Sequence, residues 1–368
     1  MDRRNLLRFF HLSLLIGLSP RLTTAKVIVV NQLGMSGLFA TISAQPIEPG
    51  SIANRPRVGI IAVGGISRAV LANTTFDFPH PVRTVAINTD AVSLQKVQAD
   101  HKILLQGFDS HLPEPVVGDR NAAQVLPGLD IAVTDLDMVL IVVGLGGAAG
   151  TGIAPVVTRR LRDKNILTLV VAIRPFDFEG EDRQSVADLG FARLKMHASA
   201  LIAICNSDIE NAVNPNDSLD AVMAHVPNTF HQLCRGITGA LGYSGLIGVE
   251  FEVLRYAITD HGGQCAFGYG VAENSIKATD LAIKHPFLKH SNLQHASAVL
   301  VAMEGPPDTM TMKELKRVLA MVSSHLPAGA TVLYSSVANP ARLHQTYTVA
   351  ILAAGIQEKR NLLKSVTN

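Results

Sequence analysis

The sequence predicts an α/β protein in which helices cover both faces of a parallel sheet and a smaller α/β domain follows. The first observation is a series of short runs that are apolar along their whole length, which is typical of strands buried on both faces. The second observation is that helical-period segments lie between several of these runs, and that glycines follow two of them. The runs expected to form the parallel sheet are residues 58–63, 85–88, 138–143, 168–173 and 201–205.

The second half of the chain predicts a connecting helix and then a mixed sheet. A long helical stretch covers residues 218–242, and the pattern changes after Gly262 and Gly263. Four strand candidates and two helical segments follow, at residues 264–272, 296–303, 331–337 and 346–353 and at residues 274–284 and 311–325. We expect four parts, namely an N-terminal extension that is poorly ordered, a first domain, a central helix and a C-terminal domain. Their bounds are 1–56, 57–217, 218–245 and 246–368.

The composition excludes several classes of function. The chain has 368 residues and a net charge of +2, and its Lys and Arg residues are dispersed, so no surface for nucleic acid is expected. The 13 His residues lack the spacing of metal ligands, and we expect no metal site. Cys205 and Cys265 lie in apolar runs and are expected to be buried thiols. These features indicate a reducing compartment, the cytoplasm.

The N-terminus is the exception to this cytoplasmic pattern. Arg3 and Arg4 precede an apolar run at residues 5–18, and small residues follow at 23–25. Three interpretations remain open: an export signal, an interfacial membrane anchor, and a start codon placed too far upstream. The rest of the chain argues against export, so the upstream start is preferred and the anchor comes second. Contact with a membrane is therefore expected only through a partner or through residues 5–18.

A glycine-rich turn at residues 144–155, GLGGAAGTGIAP, lies between an apolar run and an amphipathic stretch. A strand, a glycine turn and a helix in this order present backbone N–H groups and a positive helix end to a phosphate. The turn contains no Lys and does not match a P-loop. Residues 146–152 read GGAAGTG and resemble the GGGTGTG loop of the tubulin/FtsZ family at five of seven positions. The two exceptions are Ala148 and Ala149.

Further motifs extend this resemblance over roughly residues 57–357, a length that accommodates two domains. Residues 85–91 contain the family's Asn-Thr-Asp-Ala core, residues 175–183 match Pro-Phe-x-Phe-Glu-Gly-x-x-Arg, and residues 201–208 resemble the next strand. The resemblance implies a tubulin/FtsZ-like fold with a Rossmann-like GTP-binding domain, a central helix and a smaller C-terminal α/β domain. It also implies GTP or GDP as the ligand, and it leaves open whether Mg²⁺ accompanies the nucleotide.

The motif positions of the family imply a set of nucleotide-binding residues. Glycines at these positions let the backbone approach the phosphates, and Thr151 can donate its hydroxyl. Glu179 and Arg183 match the pair that holds the ribose, although without the resemblance they would be taken for an i,i+4 surface ion pair. The complete set is Gly64, Gly65, Asn88, Gly146, Gly147, Ala148, Ala149, Gly150, Thr151, Gly152, Glu179, Arg183 and Asn228.

Two loops around the phosphates depart from the family pattern. The family's first phosphate loop is a run of five glycines followed by Asn, whereas the segment ending at Arg68 reads GGISR and is one residue shorter. Ile66 places a branched side chain where the backbone would approach phosphate, and Arg68 either supplies a charge or is a solvated arginine at a helix start. The loop expected to sense the terminal phosphate, residues 107–118, carries Asp109 and Glu114, which would repel a triphosphate.

The position that reads the base is also changed. Where the family has a Phe and an Asn-Asp pair on the central helix, this chain has Met223 and Pro227-Asn228. The missing Asp would accept from the paired N–H groups of guanine, and Asn228 can replace only part of that pattern. The resemblance therefore leaves base specificity in question.

The catalytic segment of the family is a loop, Asn-x-Asp-x-x-Asp, that reaches the nucleotide of the next subunit in a filament. The aligned residues here are 248–253, in which Glu250 replaces the first Asp and Val253 the second. Glu250 is thus the remaining catalytic candidate. Because catalysis depends on the placement of such groups, hydrolysis is expected to be weak or absent.

Three functions remain in competition. The first, which we prefer, is an FtsZ-like cytoskeletal protein of bacterial cell division that binds nucleotide poorly. It would act by longitudinal filament contacts with itself or with FtsZ, in the cytoplasm, at the division site or at the membrane. The second is an active, divergent GTPase that polymerises in a GTP-dependent way. The third is an oxidoreductase, because residues 144–149 fit the G-x-G-x-x-[GA] dinucleotide fingerprint, although that fingerprint belongs after the first strand of its domain.

Overall fold

The computed structural model describes residues 28–31, 55–71, 81–106, 116–210, 216–241, 247–260, 263–289, 293–339 and 346–356. Three features of the sequence analysis lie outside these residues: the apolar run at 5–18, Asp109 and Glu114. Within the described ranges, no helix combines the length and the apolar character needed to cross a membrane.

In the described part of the chain, eleven strands form one continuous sheet. The strands are β1 (Ile28–Asn31), β2 (Val58–Val63), β3 (Arg83–Asn88), β4 (His101–Leu104), β5 (Met138–Gly144), β6 (Leu167–Arg174), β7 (Ala200–Cys205), β8 (Gly263–Ala272), β9 (Ala298–Gly305), β10 (Thr331–Ala338) and β11 (Tyr347–Ala354). The helices are α1 (Ile66–Leu71), α2 (Ala91–Gln95), α3 (Val116–Ala132), α4 (Ala148–Asp163), α5 (Glu181–Lys195), α6 (Asn206–Glu210), α7 (Leu219–Leu241), α8 (Phe251–Thr259), α9 (Ser275–Ile283), α10 (Pro286–Lys289) and α11 (Met312–Ser323). Across the sheet the order is β1-β10-β9-β11-β8-β7-β6-β5-β2-β3-β4.

The strands from β8 to β4 run parallel, which confirms the predicted parallel sheet. The chain begins this part at β2, adds β3 and β4 on one side, and then returns to add β5, β6 and β7 on the other. The loops after β2 and β5 therefore diverge from neighbouring strands, at the kind of switch point where α/β sheets bind ligands. The C-terminal strands are mixed, as predicted, because β11 is antiparallel to both β8 and β9.

Helices cover both faces of the parallel strands. Ile60 and Leu140 belong to a core that includes residues of α1 and α7, whereas Ile61 and Ile141 belong to a second core with α3, α4 and α5. Successive strand residues point to opposite faces, so burial on both faces requires apolar residues throughout. All six residues of β2 are buried, which explains the uninterrupted apolar run in the sequence.

The central helix α7 joins the two domains. Phe230 and Leu233 are buried in the core below the parallel strands. Arg235 on the same helix donates from Nε and from a terminal nitrogen to the two carboxylate oxygens of Glu304 on β9, at 2.8 and 2.6 Å. Both side chains are largely buried, and such a bidentate pair fixes geometry as well as charge. The helix is thereby attached to both halves of the molecule.

The sequence pattern does not predict β1, β4 or α8. β4 has four residues, of which only Ile103 is buried, so its apolar signal is weak. β1 lies in the N-terminal extension and pairs antiparallel with β10. The pairing of β7 with β8 over three residues makes one sheet of the two predicted domains. These pairings depend on contacts between distant segments, which local periodicity does not report.

Candidate functional site

Two glycine loops meet at the carboxyl edge of the sheet, one after β2 and one after β5. The parallel register pairs Val63 with Val143, so the two strands end at the same level. A Cβ built on Gly64 would lie 3.4 Å from the backbone nitrogen of Gly150, so the loops are in close contact. The fold thus brings together the two segments that the sequence predicts to bind phosphate.

The loop after β5 is held in one conformation by its own residues. Gly146 has a φ of +88°, a left-handed conformation that glycine adopts without steric cost. The N–H of Gly146 donates to Oγ1 of Thr151 at 2.9 Å, and the N–H of Thr151 donates to the carbonyl of Gly147 at 3.0 Å. A Cβ on Gly146 would lie 3.0 Å from the carbonyl oxygen of Arg183, so α5 packs directly against this loop.

The N-terminus of α4 supplies the backbone donors of the site. Gly147 is the N-cap, and Thr151 is the first intrahelical donor, so the N–H groups of Ala148, Ala149 and Gly150 precede the helical ladder. The first turn contains no acidic residue to neutralise the positive helix end. A Cβ on Gly147 would meet no atom within 4 Å, so this end faces open space. The geometry suits an anion such as phosphate.

Two residues of the predicted set have a structural role. Thr151 is 2% exposed, and its hydroxyl oxygen accepts the N–H of Gly146. A Cβ on Gly190 of α5 would lie 2.5 Å from Cγ2 of Thr151, so the methyl group is packed between helices. The hydroxyl oxygen thus shapes the loop, and its donation to phosphate stays a prediction, because an oxygen that accepts one hydrogen bond keeps its own O–H to donate. Gly152 is buried in the second turn of α4, beyond the free N–H groups.

The loop after β2 leaves fewer backbone donors free. Gly64 has a φ of +80°, and its N–H donates to a carbonyl of β3 at 2.8 Å. The N–H groups of Ser67 and Arg68 donate to the carbonyls of Gly64 and Gly65 at 3.0 and 3.4 Å. The side chain of Ile66 packs against the core beside α7. Gly65 is exposed, and a Cβ there would meet nothing within 4 Å, so this residue also faces open space.

Asn88 ends β3 beside this loop and shapes the turn that follows. It is 4% exposed, and its carboxamide oxygen accepts from the N–H groups of Thr89 and Asp90 at 2.8 and 3.3 Å. Asp90 in turn caps α2 by accepting from the N–H of Val92 at 2.9 Å. Hydrogen bonds from Ser93 are the main cause of the lowered pKa of Asp90. The NH₂ group of Asn88 is consequently the part of this side chain that remains for a ligand.

Glu179 and Arg183 form an i,i+4 ion pair with a distance of 2.7 Å. Glu179 also accepts from the N–H of Phe176 at 2.8 Å, so its carboxylate is fixed from two sides. The side chain of Arg183 is 52% exposed, and its Cγ lies against Gly146. The two residues thus have the geometry of a surface pair, and they border the glycine loop as a ribose-binding pair would.

Gln184 is a positioning residue that the sequence analysis did not single out. Its side-chain nitrogen donates to the carbonyls of Pro175 and Phe176 at 3.1 and 3.0 Å. These bonds hold the segment that leads to Glu179. No local pattern indicates such a role, whereas Gly190, also missed, was detectable as a glycine inside a helical pattern.

The base-binding positions on α7 are exposed. Met223 is 50% exposed and Asn228 is exposed, whereas Val226 and Phe230 on the same helix are buried. Pro227 lies inside the helix and has no N–H to donate. This helical segment therefore presents one exposed carboxamide and no carboxylate to a base.

Glu250 lies at the opposite edge of the sheet from the glycine loops. It is the exposed N-cap of α8, and Arg255 on that helix donates to the carbonyl of Asn165 at 3.3 Å, just before β6 begins. The loop after β5 contacts the other end of β6, because the N–H of Leu145 donates to the carbonyl of Ile173 at 2.8 Å. The eight residues of β6 span roughly 26 Å at about 3.3 Å per residue. One molecule cannot bring Glu250 to its own glycine loops.

The thiols and potential metal ligands form no further site in the described ranges. Burial raises the pKa of Cys205 to about 11 and that of Cys265 to about 12, so both thiols stay protonated at neutral pH. Cys234 is also buried. No group of three or more His, Cys, Asp or Glu side chains that could hold a metal ion occurs among the described residues.

Two family models match the chain. The model of the tubulin/FtsZ GTPase domain matches residues 66–214, and the model of the C-terminal domain of the FtsZ family matches residues 263–357. The cell division protein FtsZ 1 of Methanocaldococcus jannaschii is 30% identical over 313 residues, which cover 83% of this chain and 84% of that protein. The cell division protein FtsZ of Caulobacter vibrioides is 30% identical over 309 residues, which cover 82% of this chain and 60% of that protein.

Solved structures have the same architecture. An FtsZ dimer from M. jannaschii matches with a TM-score of 0.75 at 28% identity, over 86% of this chain and 96% of that chain. CetZ2 from Haloferax volcanii matches with a TM-score of 0.66 at 22% identity, over 82% of this chain and 93% of that chain. At that lower identity, the second likeness concerns the fold alone.

Proposed function

The chain belongs to the tubulin/FtsZ family, and on this premise we propose that it is a guanine-nucleotide-binding cytoskeletal protein of cell division that assembles end to end with itself or with FtsZ. GTP hydrolysis is weak or absent in this proposal. The protein acts in the cytoplasm at the division site, and it reaches the membrane through a partner or through residues 5–18.

The N-terminus of α4 supports nucleotide as the ligand. Three backbone N–H groups precede the helical ladder, no acidic residue lies in the first turn, and the space beside Gly147 is open. Phosphates are the anions that such helix ends bind in α/β proteins. Glu179 and Arg183 border the same loop, where a ribose would follow the phosphates. GTP or GDP, with Mg²⁺ as a companion of the phosphates, is the ligand proposed.

The distance between the glycine loops and Glu250 supports the assembly proposal. The glycine loops lie at the carboxyl edge and Glu250 lies at the amino edge, roughly the length of β6 away. In an end-to-end arrangement, the amino edge of one copy meets the carboxyl edge of the next. Each contact then combines one nucleotide cradle with one Glu250 segment.

The Glu250 segment supports slow hydrolysis. Val253 stands where the family has its second Asp, and its side chain packs against the core. Glu252 is 77% exposed and pairs with Arg255 at 3.6 Å, so this carboxylate does not replace the missing one. Glu250 alone remains to position water, with a longer side chain than Asp. A misplacement of about 1 Å costs about 100-fold in rate.

An active GTPase is the second candidate. The observation that favours it is the exposure of Glu250, whose side chain makes no capping bond to α8. An exposed carboxylate on the amino edge is available to the nucleotide of a neighbouring subunit.

Sedimentation combined with phosphate release tests these proposals. The full chain is incubated with GTP and Mg²⁺, alone and with the FtsZ of M. jannaschii, beside reactions without nucleotide. We expect the protein to pellet alone or with FtsZ. Phosphate release should be about 100-fold or more below that of FtsZ alone, the range that a lost acid–base group covers.

Glu250→Gln and its exposed neighbour Glu252→Gln form the matched pair of variants. Turnover comparable with FtsZ, lost in Glu250→Gln and kept in Glu252→Gln, would establish the active GTPase instead. A protein that stays in the supernatant under every condition is not an assembling one. Tight binding of NAD without affinity for GDP would point to the oxidoreductase.

A further inference from the structure

Arg68 is an exposed cation beside the nucleotide cradle. It is the third residue of α1, and its guanidinium forms no hydrogen bond or ion pair with the described part of the chain. The loop that precedes it contacts the N-terminus of α4, because a Cβ on Gly64 would lie 3.4 Å from the nitrogen of Gly150. Arg68 therefore follows, by one helical turn, the glycine that contacts the proposed phosphate site.

The direction of helical side chains places the guanidinium on the side of the glycines. The Cα–Cβ bond in an α-helix is tilted toward the N-terminus, and long side chains cover the turn that precedes their own residue. For Arg68 that turn is Gly64-Gly65. Gly65 is exposed and borders open space, so the side chain has room there.

Arg68 has no acidic partner at the two helix ends that border the glycine loops. Neither α1 nor α4 has an acidic residue in its first turn, so Arg68 has no compensating charge on these two helix ends. The neighbouring Ser67 is fully buried, and its hydroxyl has no partner among the described residues. The Arg68 side chain is thus an exposed donor with no partner in the described chain, next to a buried hydroxyl that also has none there.

The same loop is short of backbone donors. The N–H groups of Gly64, Ser67 and Arg68 already bond to backbone carbonyls, which leaves those of Gly65 and Ile66 for a ligand. We propose that the Arg68 side chain replaces the missing donors and binds the diphosphate of the nucleotide by a charge-assisted hydrogen bond. This inference rests on the proposed nucleotide binding at α4. It makes Arg68 a phosphate-binding residue in a loop where the family pattern has glycines.

Isothermal titration of the full chain with GDP tests the proposal. Arg68→Gln removes the charge, Arg68→Lys keeps it, and Lys313→Gln removes an exposed charge on the distant helix α11. We expect Arg68→Gln to weaken GDP binding about 10- to 100-fold, the range of a charge-assisted hydrogen bond. Arg68→Lys should lose only a small part of the affinity, and Lys313→Gln should not differ from wild type. The wild-type affinity should fall more steeply with salt than that of Arg68→Gln.

Thermal unfolding without nucleotide separates ligand binding from a structural role. The Arg68 side chain is exposed and forms no hydrogen bond or ion pair with the described part of the chain, so Arg68→Gln should unfold at about the wild-type temperature. Unfolding at a clearly lower temperature would show that Arg68 holds the loop together, and the inference would fail. If Arg68→Gln binds GDP as tightly as Lys313→Gln does, the inference about Arg68 is overturned and the proposed function stands. If the wild-type chain binds neither GDP nor GTP, both the inference about Arg68 and the proposed nucleotide binding are refuted.

Discussion

The glycine loops after β2 and β5 end neighbouring strands at the same level, yet they differ in what remains for a ligand. In the second loop, the side chain of Thr151 holds the N–H of Gly146, and the N–H groups at the helix end stay free. In the first loop, the N–H groups of Gly64, Ser67 and Arg68 all bond to backbone carbonyls. The second loop therefore keeps more free backbone donors than the first, and the first leads to the exposed Arg68.

The comparison teaches that glycines in one motif serve different purposes. Gly150 has no room for a Cβ, because such an atom would lie 2.0 Å from the carbonyl oxygen of Gly144. Gly146 and Gly64 are needed for their positive φ angles. Gly65 and Gly147 meet neither demand, since a Cβ there would contact nothing and φ is not positive. Packing explains Gly150 and backbone conformation explains Gly146 and Gly64, and we propose close approach of a ligand as the reason for the last two.

Gly150→Ala should have the largest effect on stability among the loop variants. Its Cβ would overlap a backbone oxygen that cannot move without distorting the end of β5, so we expect a loss of about 3 kcal/mol or more. Urea unfolding monitored by circular dichroism measures this difference. Gly147→Ala is the control, because its Cβ enters open space at an N-cap, and it should lose less than about 1 kcal/mol. Equal losses in both variants would refute the distinction.

Gly146→Ala should cost more than Gly64→Ala. Both residues have positive φ, for which an alanine loses about 1–2 kcal/mol. At Gly146 the added Cβ would also press on the carbonyl of Arg183 at 3.0 Å, so we expect about 2–3 kcal/mol there and about 1 kcal/mol at Gly64. The same urea titrations report both values. A reversed order would show that the first loop is the more tightly constrained.

Thr151→Val should have the smallest effect of the three. It keeps the packed shape and removes the acceptor of the Gly146 N–H, which costs about 1 kcal/mol for a lost hydrogen bond. Thr158→Val is the matched control on the same helix, because that buried hydroxyl donates to the carbonyl of Ala154, which the helix already uses. Its loss should be near zero. If Thr151→Val unfolds like wild type, the hydroxyl does not shape the loop.

Much of the fold follows from the sequence, because strand burial leaves a local trace. The apolar run at 138–143 matches β5 to within one residue, and the helical pattern at 311–325 contains α11. β4 was not predicted, because the sequence of an edge strand with one buried residue resembles that of a loop. β1 was not predicted, because its pairing with β10 joins segments about 300 residues apart and local periodicity does not report such pairing.

The site was predictable in its motif and less so in its roles. The glycine pattern at 146–152 located the cradle, and the Glu179–Arg183 spacing anticipated the ion pair. The structural role of Thr151 was missed, because its hydrogen bond to Gly146 depends on how the loop folds back on α4. Gln184 was missed, since a carboxamide that holds two carbonyls leaves no pattern in the chain.

The sequence and the tertiary structure determined different features of this protein. The sequence by itself determined the family, the order of most of the elements and the absence of a second Asp at Val253, because residue identity and spacing are local properties. Only the tertiary structure decided which glycines face open space and that the loop at Gly64 contacts the end of α4. It also decided that Glu250 lies at the far edge of the sheet. These are consequences of strand register and helix packing, which bring together segments that no local pattern connects.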